Sequence, residues 1–346
     1  MKINIINFEK ENCISAYNAE TLSVFLKKAG NEVSVFCEQG SYLFSQCQKF
    51  KVPVFPLSWA HKFGLKPLPP ADINDYFGNS SFLLSMARKN KSKKTPAFLR
   101  IYEFHDQKTM AKLSEDSGLF YKILPACQSL KEELSMAGLP QERLFVFYPV
   151  LNMTRWESAK LIKTAMFLKR PFKIGMSYRI INEENLLFFL KIAQKTIADV
   201  PNVDFIMVGP RPEKIREKAR EMGISHRIDM LDWRTDMPEV MAMLHVFLKT
   251  EVSPAISRSL IEAMASGVVC AVPRVRGLSD FVIHDYNGVL TEPGSVSDYV
   301  SAIKKFINNP PLCQAMSTVA YNHINDNMSA QVLSRLSGVL YEEALQ

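Results

Sequence analysis

Apolar residues along this chain alternate between short continuous runs and longer segments in which they recur at helical spacing. Ile3 to Phe8 is a continuous run typical of a strand, and Ala19 to Ala29 shows the helical spacing. Gly30 fits the position just after a helix, where a left-handed backbone is common. Val33 to Cys37 begins a second strand, so the chain is predicted to open with a strand–helix–strand unit.

Between residues 38 and 97, the pattern is broken into short pieces by Pro53, Pro56, Pro67, Pro69 and Pro70. Beyond them we predict a strand over Phe98 to Phe104, a helix over Ser129 to Ala137 and a strand over Leu144 to Tyr148. The last predicted helix, Ser329 to Leu345, carries an apolar stripe that must be buried against another surface.

From Phe172 onward, strands and helices alternate regularly. The predicted strands are Phe172–Ser177, Val203–Val208, Ile228–Leu231, Val246–Leu248 and Val268–Val272, and the predicted helices are Glu183–Ala198, Pro212–Met222, Met237–Met243 and Ser257–Ala265. Because the strands are almost continuously apolar, we expect parallel sheets covered by helices on both faces. Two such α/β halves meet around residues 150 to 171.

Length and composition indicate two globular domains in a reducing compartment. The chain has 346 residues, 47% of them hydrophobic, and six scattered cysteines that form no CxxC pair. Free thiols in the cytosol are therefore expected. The first residues lack the features of a secretory signal, and no apolar run reaches the roughly 18 residues that cross a bilayer. The predicted location is cytoplasmic.

The formal net charge is +7, and the densest basic cluster is Arg88 to Lys94. Such a cluster usually forms a solvated loop. The alternative is peripheral contact with an anionic membrane, at the inner membrane face. Nucleic acid is not an expected partner, because no aromatic residues interleave with the lysines.

Candidate chemistry lies in the loops after the strands, since ligands of open α/β sheets bind beyond the carboxyl ends of the strands. These loops are Ser177 to Arg179, Gly209 to Arg211, Leu231 to Trp233, Lys249 to Ser257 and Pro273 to Asp280. Several contain cations, glycine or the start of a helix, and these features together suit an anionic ligand.

The segment Ser257 to Gly267 is the most informative of the chain. A helix start presents amide N–H groups and the positive end of the helix dipole to a phosphate. About one turn further, the Glu262 carboxylate is placed to accept hydrogen bonds from a ribose. Alternatively, Ser259 and Glu262 form a capping box, in which Glu262 accepts from a backbone amide of its own helix. The spacing leaves both interpretations open.

Three stretches in this part of the chain resemble the signature of retaining glycosyltransferase family 4. They read Glu262-Ala263-Met264-Ala265-Ser266-Gly267, Arg276-Gly277-Leu278-Ser279-Asp280 and Asn287-Gly288-Val289-Leu290. The resemblance is good over residues 172 to 346 and thin over 1 to 150. It implies the GT-B fold, in which two Rossmann-like domains with parallel sheets face across a cleft.

The resemblance implies an acceptor domain over residues 1–160, a nucleotide-sugar-binding domain over 161–328, and a closing helix over 329–346 that packs back on the N-terminal domain. It implies that the donor substrate is a nucleotide-diphospho-sugar and that no metal or other cofactor takes part. The acceptor would be a glycan, a lipid or a small molecule.

Functional residues carry over from the family position by position. Arg179 matches the arginine that pairs with the donor diphosphate, Glu262 the glutamate that binds the ribose hydroxyls, and Gly209 the glycine turn on the nucleotide side. The residues whose amides match those holding the distal phosphate are Ile256, Ser257, Arg258 and Ser259. His105 matches a histidine that faces the donor sugar, so His105 and Arg179 are the predicted catalytic residues.

Some positions depart from the family pattern. In the family, a glutamate eight residues before the ribose-binding glutamate contacts the transferred sugar. In this chain that position is Pro254, and Glu251 lies three residues too early. Acidic residues replace the lysine that follows the family's arginine loop, and Arg276 replaces the first glycine of the Gly-Gly turn. One hypothesis is that Arg258 and Arg276, both in the predicted nucleotide-sugar site, supply part of the missing positive charge.

The expected function is therefore metal-independent, retaining transfer of a sugar from a nucleotide-diphospho-sugar to an acceptor. The alternative is a catalytically impaired GT-B protein that acts as a nucleotide-binding or scaffold partner, which Pro254 and the missing lysine favour. A third alternative, a GT-B sugar-nucleotide epimerase, has no specific support in the motifs.

Overall fold

The computed structural model describes residues 1–62, 65–78, 80–92, 94–159, 171–179, 181–232, 234 and 236–346. The chain divides into two compact units. Unit 1 is Met1–Asn152 together with Asn327–Gln346, and unit 2 is Met153–Asp326. Each unit contains a six-stranded parallel sheet and covering helices, so the predicted α/β class is confirmed.

Unit 1 begins with the predicted strand–helix–strand unit. Its strands are β1 (Lys2–Asn7), β2 (Glu32–Cys37), β3 (Val54–Pro56), β4 (Ile73–Phe77), β5 (Ala97–Ile101) and β6 (Lys122–Pro125), in the sheet order β3-β2-β1-β4-β5-β6. The helices between them are α1 (Ile14–Lys28), α2 (Tyr42–Lys49), α3 (Trp59–Lys62), α4 (Ser81–Lys89), α5 (Gln107–Asp116) and α6 (Gln128–Met136). Gly30 has φ 88°, which confirms its predicted place after α1.

Two predicted strands of unit 1 differ from the structure. The strand predicted over Phe98–Phe104 ends at Ile101. The strand predicted over Leu144–Tyr148 is wrong: the backbone forms one bridge to β6, and the amide of Phe147 donates to the carbonyl of Pro125 at 2.9 Å. The ladder stops there because Pro125 has no N–H to return a bond.

Unit 2 matches its predicted elements closely. Its strands are β7 (Phe172–Ser177), β8 (Val203–Val208), β9 (Ile228–Leu231), β10 (Val246–Leu248), β11 (Val269–Pro273) and β12 (Gly288–Thr291), in the order β12-β11-β10-β7-β8-β9. Its helices are α7 (Glu183–Asp199), α8 (Glu213–Glu221), α9 (Met237–Met243), α10 (Arg258–Ala265), α11 (Val296–Asn308) and α12 (Pro310–Met328), the last of which continues into unit 1.

The strand order of unit 2 determines where a ligand can bind. β7 is the first strand of the unit in sequence, yet it lies inside the sheet, between β8 and β10. The strand order therefore changes direction between β7 and β10. In open parallel sheets the loops diverge at such a switch point and leave a crevice at the carboxyl ends of the strands.

The chain ends in α13 (Ala330–Leu345), which belongs to unit 1 and packs on α1. Under this helix lies a buried polar cluster made of Asp75 on β4, Arg100 on β5, and Ser337 and Tyr341 on α13. Arg100 Nε lies 2.8 Å from Asp75 Oδ2, and its Nη2 donates to Ser337 and Tyr341 at 3.1 and 3.2 Å. The Tyr341 hydroxyl donates to Asp75.

The six cysteines all fall in the described ranges, and all six are free thiols, as predicted. Throughout the part of the chain that the structure describes, each helix is too short or too polar to span a membrane.

Candidate active site

A pocket lies at the switch point of unit 2, between the carboxyl ends of β7 and β10. The residues that line it are Met176, Ser177, Tyr178, Asn182, Asn185, Leu186, Lys249, Thr250 and Glu251. Several of these side chains are polar, and Lys249 carries a positive charge. The loop after β7 also contains Arg179, which is exposed, and the loop after β10 leads into α10. The carboxyl edge of the sheet therefore carries the pocket with Lys249, the loop with Arg179 and the loop that leads into α10.

Gly209, which follows β8, lies directly against the backbone before Arg179. Its amide donates to the carbonyl of Leu231 at 3.0 Å, and the Tyr178 amide donates to the carbonyl of Val208 at 3.0 Å. A Cβ atom at position 209 would lie only 2.3 Å from the Tyr178 carbonyl oxygen. Glycine is required here because backbone occupies the space of a side chain.

We expect Gly209→Ala to displace the turn at Tyr178 and Arg179 and to destabilise unit 2 by about 1–3 kcal/mol through overpacking. Thermal unfolding and the affinity for nucleoside diphosphates would both report the change. Gly338→Ala is the matched control, because nothing lies within 4 Å of its added Cβ and it lies within a helix. Equal effects of the two substitutions would contradict the close approach at Gly209.

The start of α10 is formed by Ser257, which caps the helix. Its Oγ accepts a hydrogen bond from the amide of Leu260 at 3.3 Å, and the hydroxyls of Ser257 and Ser259 are 3.1 Å apart. Residues Leu260 to Ala265 are buried, which fixes the direction of the helix. The positive end of its dipole therefore lies beyond the carboxyl end of β10, and the binding of a phosphate there stays a prediction.

Glu262 is 7% exposed, and its Oε1 accepts a hydrogen bond from Arg258 Nε at 2.8 Å. The capping-box alternative is wrong, because the cap is Ser257 and the third helical residue is Leu260. A carboxylate has about four acceptor sites, so the bond to Arg258 leaves capacity for a ribose hydroxyl. The guanidinium of Arg258 thus holds Glu262 in place, which changes the role hypothesised for Arg258.

Lys249 was not singled out from the sequence. It follows the apolar strand β10, it is only 9% exposed, and its Nζ lies 2.8 Å from Glu251 Oε2. The hydroxyl of Tyr299 donates to the Lys249 carbonyl and fixes the backbone at this point. An ammonium group has three N–H donors, so pairing with Glu251 leaves donors for an anion in the pocket. In the sequence, the feature that could have identified Lys249 is its position as a charged residue directly after a buried strand.

Pro254 is exposed, in an irregular loop between β10 and α10. The next residue, Ala255, donates its amide to the carbonyl of Arg276 at 3.2 Å, so the loops after β10 and β11 are joined. Gly277, with φ 85°, donates its amide to Asp280 Oδ2 at 3.0 Å. The side chain of Arg276 is exposed at this junction.

The acidic residues after the Arg179 loop have a structural role. Glu183 and Glu184 occupy the first turn of α7, whose cap is Asn182. Carboxylates are favourable there because they face the positive end of the helix dipole. Glu183 also pairs with Lys214.

Comparisons with known proteins show what the second half of the chain is similar to. The model of the family described as Glycosyl transferases group 1 matches residues 160–323. This part of the chain, called the group 1 domain below, is therefore similar to that family. The match includes Arg179, Gly209, the start of α10, Glu262 and Arg276, so each predicted site residue of unit 2 lies in the group 1 domain.

The curated relatives are similar over the same part of the chain. An alpha-1,3-galactosyltransferase of Escherichia coli, which acts with UDP-Gal on alpha-D-GlcNAc-diphosphoundecaprenol, is 24% identical over 172 residues, covering 48% of this chain and 43% of the relative. The N-acetyl-alpha-D-glucosaminyl L-malate synthase of Bacillus anthracis is 24% identical over 184 residues, covering 51% and 48%. The chain thus spans less than half the length of these relatives.

Solved structures show that the similarity of fold extends beyond the group 1 domain. HepE of Anabaena in complex with UDP has a TM-score of 0.84 at 15% identity, and the match covers 99% of this chain and 100% of HepE. A glycosyltransferase of Rickettsia africae has a TM-score of 0.81 at 13% identity, covering 100% and 98%. The predicted GT-B fold is confirmed.

His105 belongs to unit 1, apart from the group 1 domain, and its role facing the donor sugar stays a prediction. Burial lowers the pKa of its imidazole, although Glu103, Glu133 and Asp106 act in the opposite direction. The ring is therefore neutral near pH 7 and suited to hydrogen bonding. Across the described ranges, no cluster of three or more His, Cys, Asp or Glu residues is placed to hold a metal ion.

Proposed function

We propose that this protein is a glycosyltransferase that moves a sugar from a nucleotide-diphospho-sugar to an acceptor hydroxyl. The observation that carries the proposal is that the group 1 match contains the switch-point pocket with Lys249, the loop of Arg179 and the start of α10. The structures of Anabaena HepE with UDP and with UDP-glucose support a nucleotide-sugar donor. Uridine diphosphate is therefore the first nucleotide to test.

In the proposed complex the donor binds along the carboxyl edge of the sheet in unit 2. Arg179, Lys249 and the amide groups at the start of α10 bind the diphosphate, since a guanidinium, an ammonium and a helix N-terminus all favour phosphate. Glu262, oriented by Arg258, accepts hydrogen bonds from the ribose hydroxyls. Arg276 extends the positive charge at the joined loops.

The proposed reaction retains the configuration of the sugar. The bond between the anomeric carbon and the diphosphate oxygen breaks, and the acceptor oxygen forms its bond on the same face. The acceptor proton passes to the departing phosphate oxygen, so the products are a glycoside and a nucleoside diphosphate. The residues that bind the diphosphate stabilise the charge that develops on it, and the proposal includes no metal ion or other cofactor. Neutral His105 is proposed to hydrogen bond to a hydroxyl of the donor sugar.

The proposed acceptor is a glycan, a lipid-linked glycan or a small molecule, and the proposed location is the cytoplasm. A lipid-linked acceptor is supported by the diphosphoundecaprenol in the name of the Escherichia coli relative. Contact of the Arg88–Lys94 cluster with an anionic membrane stays a prediction. The exposed Pro254 favours one competing function, a protein that binds nucleotide without transferring sugar.

Calorimetric titration with nucleoside diphosphates, followed by transfer assays over a panel of nucleotide-sugars, tests this proposal. We expect binding of a nucleoside diphosphate by the native protein and an affinity about 10–100-fold lower in Glu262→Ala, because a hydrogen bond to a charged group is worth about 1.5–3 kcal/mol. Glu217→Ala, an exposed site on α8, is the matched control.

Two results would count against the proposed enzyme. If Glu262→Ala bound nucleoside diphosphates with unchanged affinity, Glu262 would not be a ribose ligand. Tight binding of a nucleotide-sugar without hydrolysis or transfer to any acceptor in the panel would favour the scaffold function instead.

A further inference from the structure

Thr250 has a buried hydroxyl group without a partner in the protein. It lies two residues beyond β10, lines the switch-point pocket and is only 2% exposed. Among the residues that the structure describes, none forms a hydrogen bond with its Oγ1 atom. Unpaired polar groups are rare in protein interiors, because burying them costs stability. An unpaired hydroxyl on a residue that lines a pocket therefore indicates a partner supplied by a ligand.

The backbone fixes Thr250 at this place. The amide of the preceding residue, Lys249, donates to the carbonyl of Ala271 on β11 at 3.0 Å, and the Lys249 carbonyl accepts from the hydroxyl of the buried Tyr299 on α11. Both backbone groups of Lys249 are thus bound within unit 2. A change of χ1 exchanges the hydroxyl and methyl positions of a threonine, so Thr250 can turn its hydroxyl toward a ligand while the backbone stays in place.

The next residue, Glu251, contributes a carboxylate to the same pocket. Its Oε2 lies 2.8 Å from Lys249 Nζ, and its side chain is 37% exposed. A carboxylate has about four acceptor sites, and the ion pair occupies only part of them. The negative charge repels a phosphate group, whereas it accepts a hydrogen bond from a neutral hydroxyl. The part of the pocket next to Glu251 therefore favours an uncharged group.

The pocket combines donors with acceptors. The Lys249 ammonium only donates, the Glu251 carboxylate only accepts, and the Thr250 hydroxyl does both. Asn182 and Asn185, which also line the pocket, carry side-chain amides that include both kinds of group. Each sugar hydroxyl also donates and accepts, whereas the ionised oxygens of a phosphate only accept. A sugar therefore matches this set of groups better than a phosphate does.

We propose that Thr250 and Glu251 recognise the transferred sugar by hydrogen bonding to its hydroxyl groups. The Thr250 hydroxyl gains in the complex the partner that it lacks in the free protein. Glu251 accepts from a second sugar hydroxyl, and its ion pair with Lys249 fixes the carboxylate in the pocket. This inference rests on the proposed function, because it requires that the donor is a nucleotide-diphospho-sugar.

Calorimetric titration tests the inference with the nucleoside diphosphate that the native protein binds, uridine first, and with its glucosyl, galactosyl and N-acetylglucosaminyl esters. Thr250→Val keeps the shape of the side chain and removes the hydroxyl. We expect its affinity for at least one nucleotide-sugar to fall about tenfold, while its affinity for the nucleoside diphosphate stays within roughly threefold. Glu251→Gln should weaken the same nucleotide-sugar by about tenfold and bind the nucleoside diphosphate as tightly as the native protein or more tightly, since a negative charge is removed.

Thermal unfolding distinguishes this role from a structural one. Thr250→Val should keep or raise the unfolding temperature, because it removes a buried hydroxyl that has no partner. Thr196→Val is the matched control. Thr196 is fully buried on α7 of the same unit, and its hydroxyl donates to the carbonyl of Ile192 at 2.7 Å. This control should lower the unfolding temperature and leave the affinity for each of the ligands unchanged.

The titrations separate a failure of this inference from a failure of the proposed function. If the native protein bound no nucleoside diphosphate, the proposed function would be wrong, and this inference with it. If the native protein bound one, but both variants kept the native affinity for all three nucleotide-sugars, Thr250 and Glu251 would not recognise the sugar and the proposed function would stand. An equal loss of affinity for the nucleoside diphosphate and its sugars would also overturn the inference.

Discussion

Replacing Asp75 with alanine is expected to lower the free energy of unfolding of unit 1 by about 3–5 kcal/mol, because it leaves a buried charge without its partner. Asp75 and Arg100 are fully buried, and both Nε contacts to the carboxylate are 3.0 Å or shorter. Burial is the largest single influence and would lower the pKa of Arg100, but the Asp75 carboxylate together with Tyr341 and Tyr102 raises it. The guanidinium cannot become neutral, so it must remain charged in an apolar environment.

Urea unfolding followed by circular dichroism measures this loss. Glu32→Ala is the control, since Glu32 pairs with Lys2 at the exposed end of the same sheet at 3.8 Å, and such pairs contribute about 0–1 kcal/mol. A second variant with both Asp75→Leu and Arg100→Met should be more stable than Asp75→Ala, because it removes both charges. If Asp75→Ala lowered the free energy of unfolding by less than about 1 kcal/mol, the buried polar cluster would not be important for the packing of α13.

Replacing Lys249 with methionine is expected to reduce kcat/KM by about 100-fold or more, if the chain is the transferase proposed above. Methionine retains most of the volume of lysine but removes the positive charge from the pocket. Loss of one preorganised group that stabilises developing charge typically costs 100- to 1,000-fold in rate. Because the charge grows as the diphosphate departs, most of the loss should appear in kcat.

The control is Lys195→Met, whose ammonium forms an exposed pair with Asp199 on α7 of the same unit. Lys249→Arg should restore part of the activity, since it restores the charge. Near-UV circular dichroism would show whether each variant keeps its packing. Activity of Lys249→Met within threefold of the native enzyme would exclude Lys249 from the diphosphate site.

The fold of unit 2 was predictable because its strands are buried on both faces. Val203–Val208 coincides with β8 as predicted, since a short and almost continuous apolar run is typical of a buried strand. Unit 1 was harder because β4 contains Asn74 and Asp75 in fully buried positions. Asn74 accepts from Asn4 at 3.0 Å and Asp75 binds Arg100. A local pattern cannot foresee partners that are brought together only by the sheet.

The site shows the same limit. Glu262 was identified from its motif, and its contact with Arg258 is an i,i+4 pair that helix geometry permits from sequence alone. The position of Lys249 in a pocket with Tyr178 depends on β10 lying beside β7, and chain order does not reveal that neighbour. The role of Ser257 as the cap, in place of Ser259, was decided by one hydrogen bond to Leu260.

The discontinuity of unit 1 has a consequence for synthesis on the ribosome. Asp75 and Arg100 are translated early, whereas Ser337 and Tyr341 emerge only after all of unit 2. At a translation rate of roughly 5–20 residues per second, α13 is synthesised on the order of ten seconds or longer after the Asp75–Arg100 ion pair that it covers. During that interval the nascent first sheet exposes apolar surface on the side of α13. A chaperone that shields apolar surface on nascent chains should therefore matter more at this stage than for a protein whose first domain is continuous. Moving residues 327–346 to the N-terminus by circular permutation should reduce that dependence.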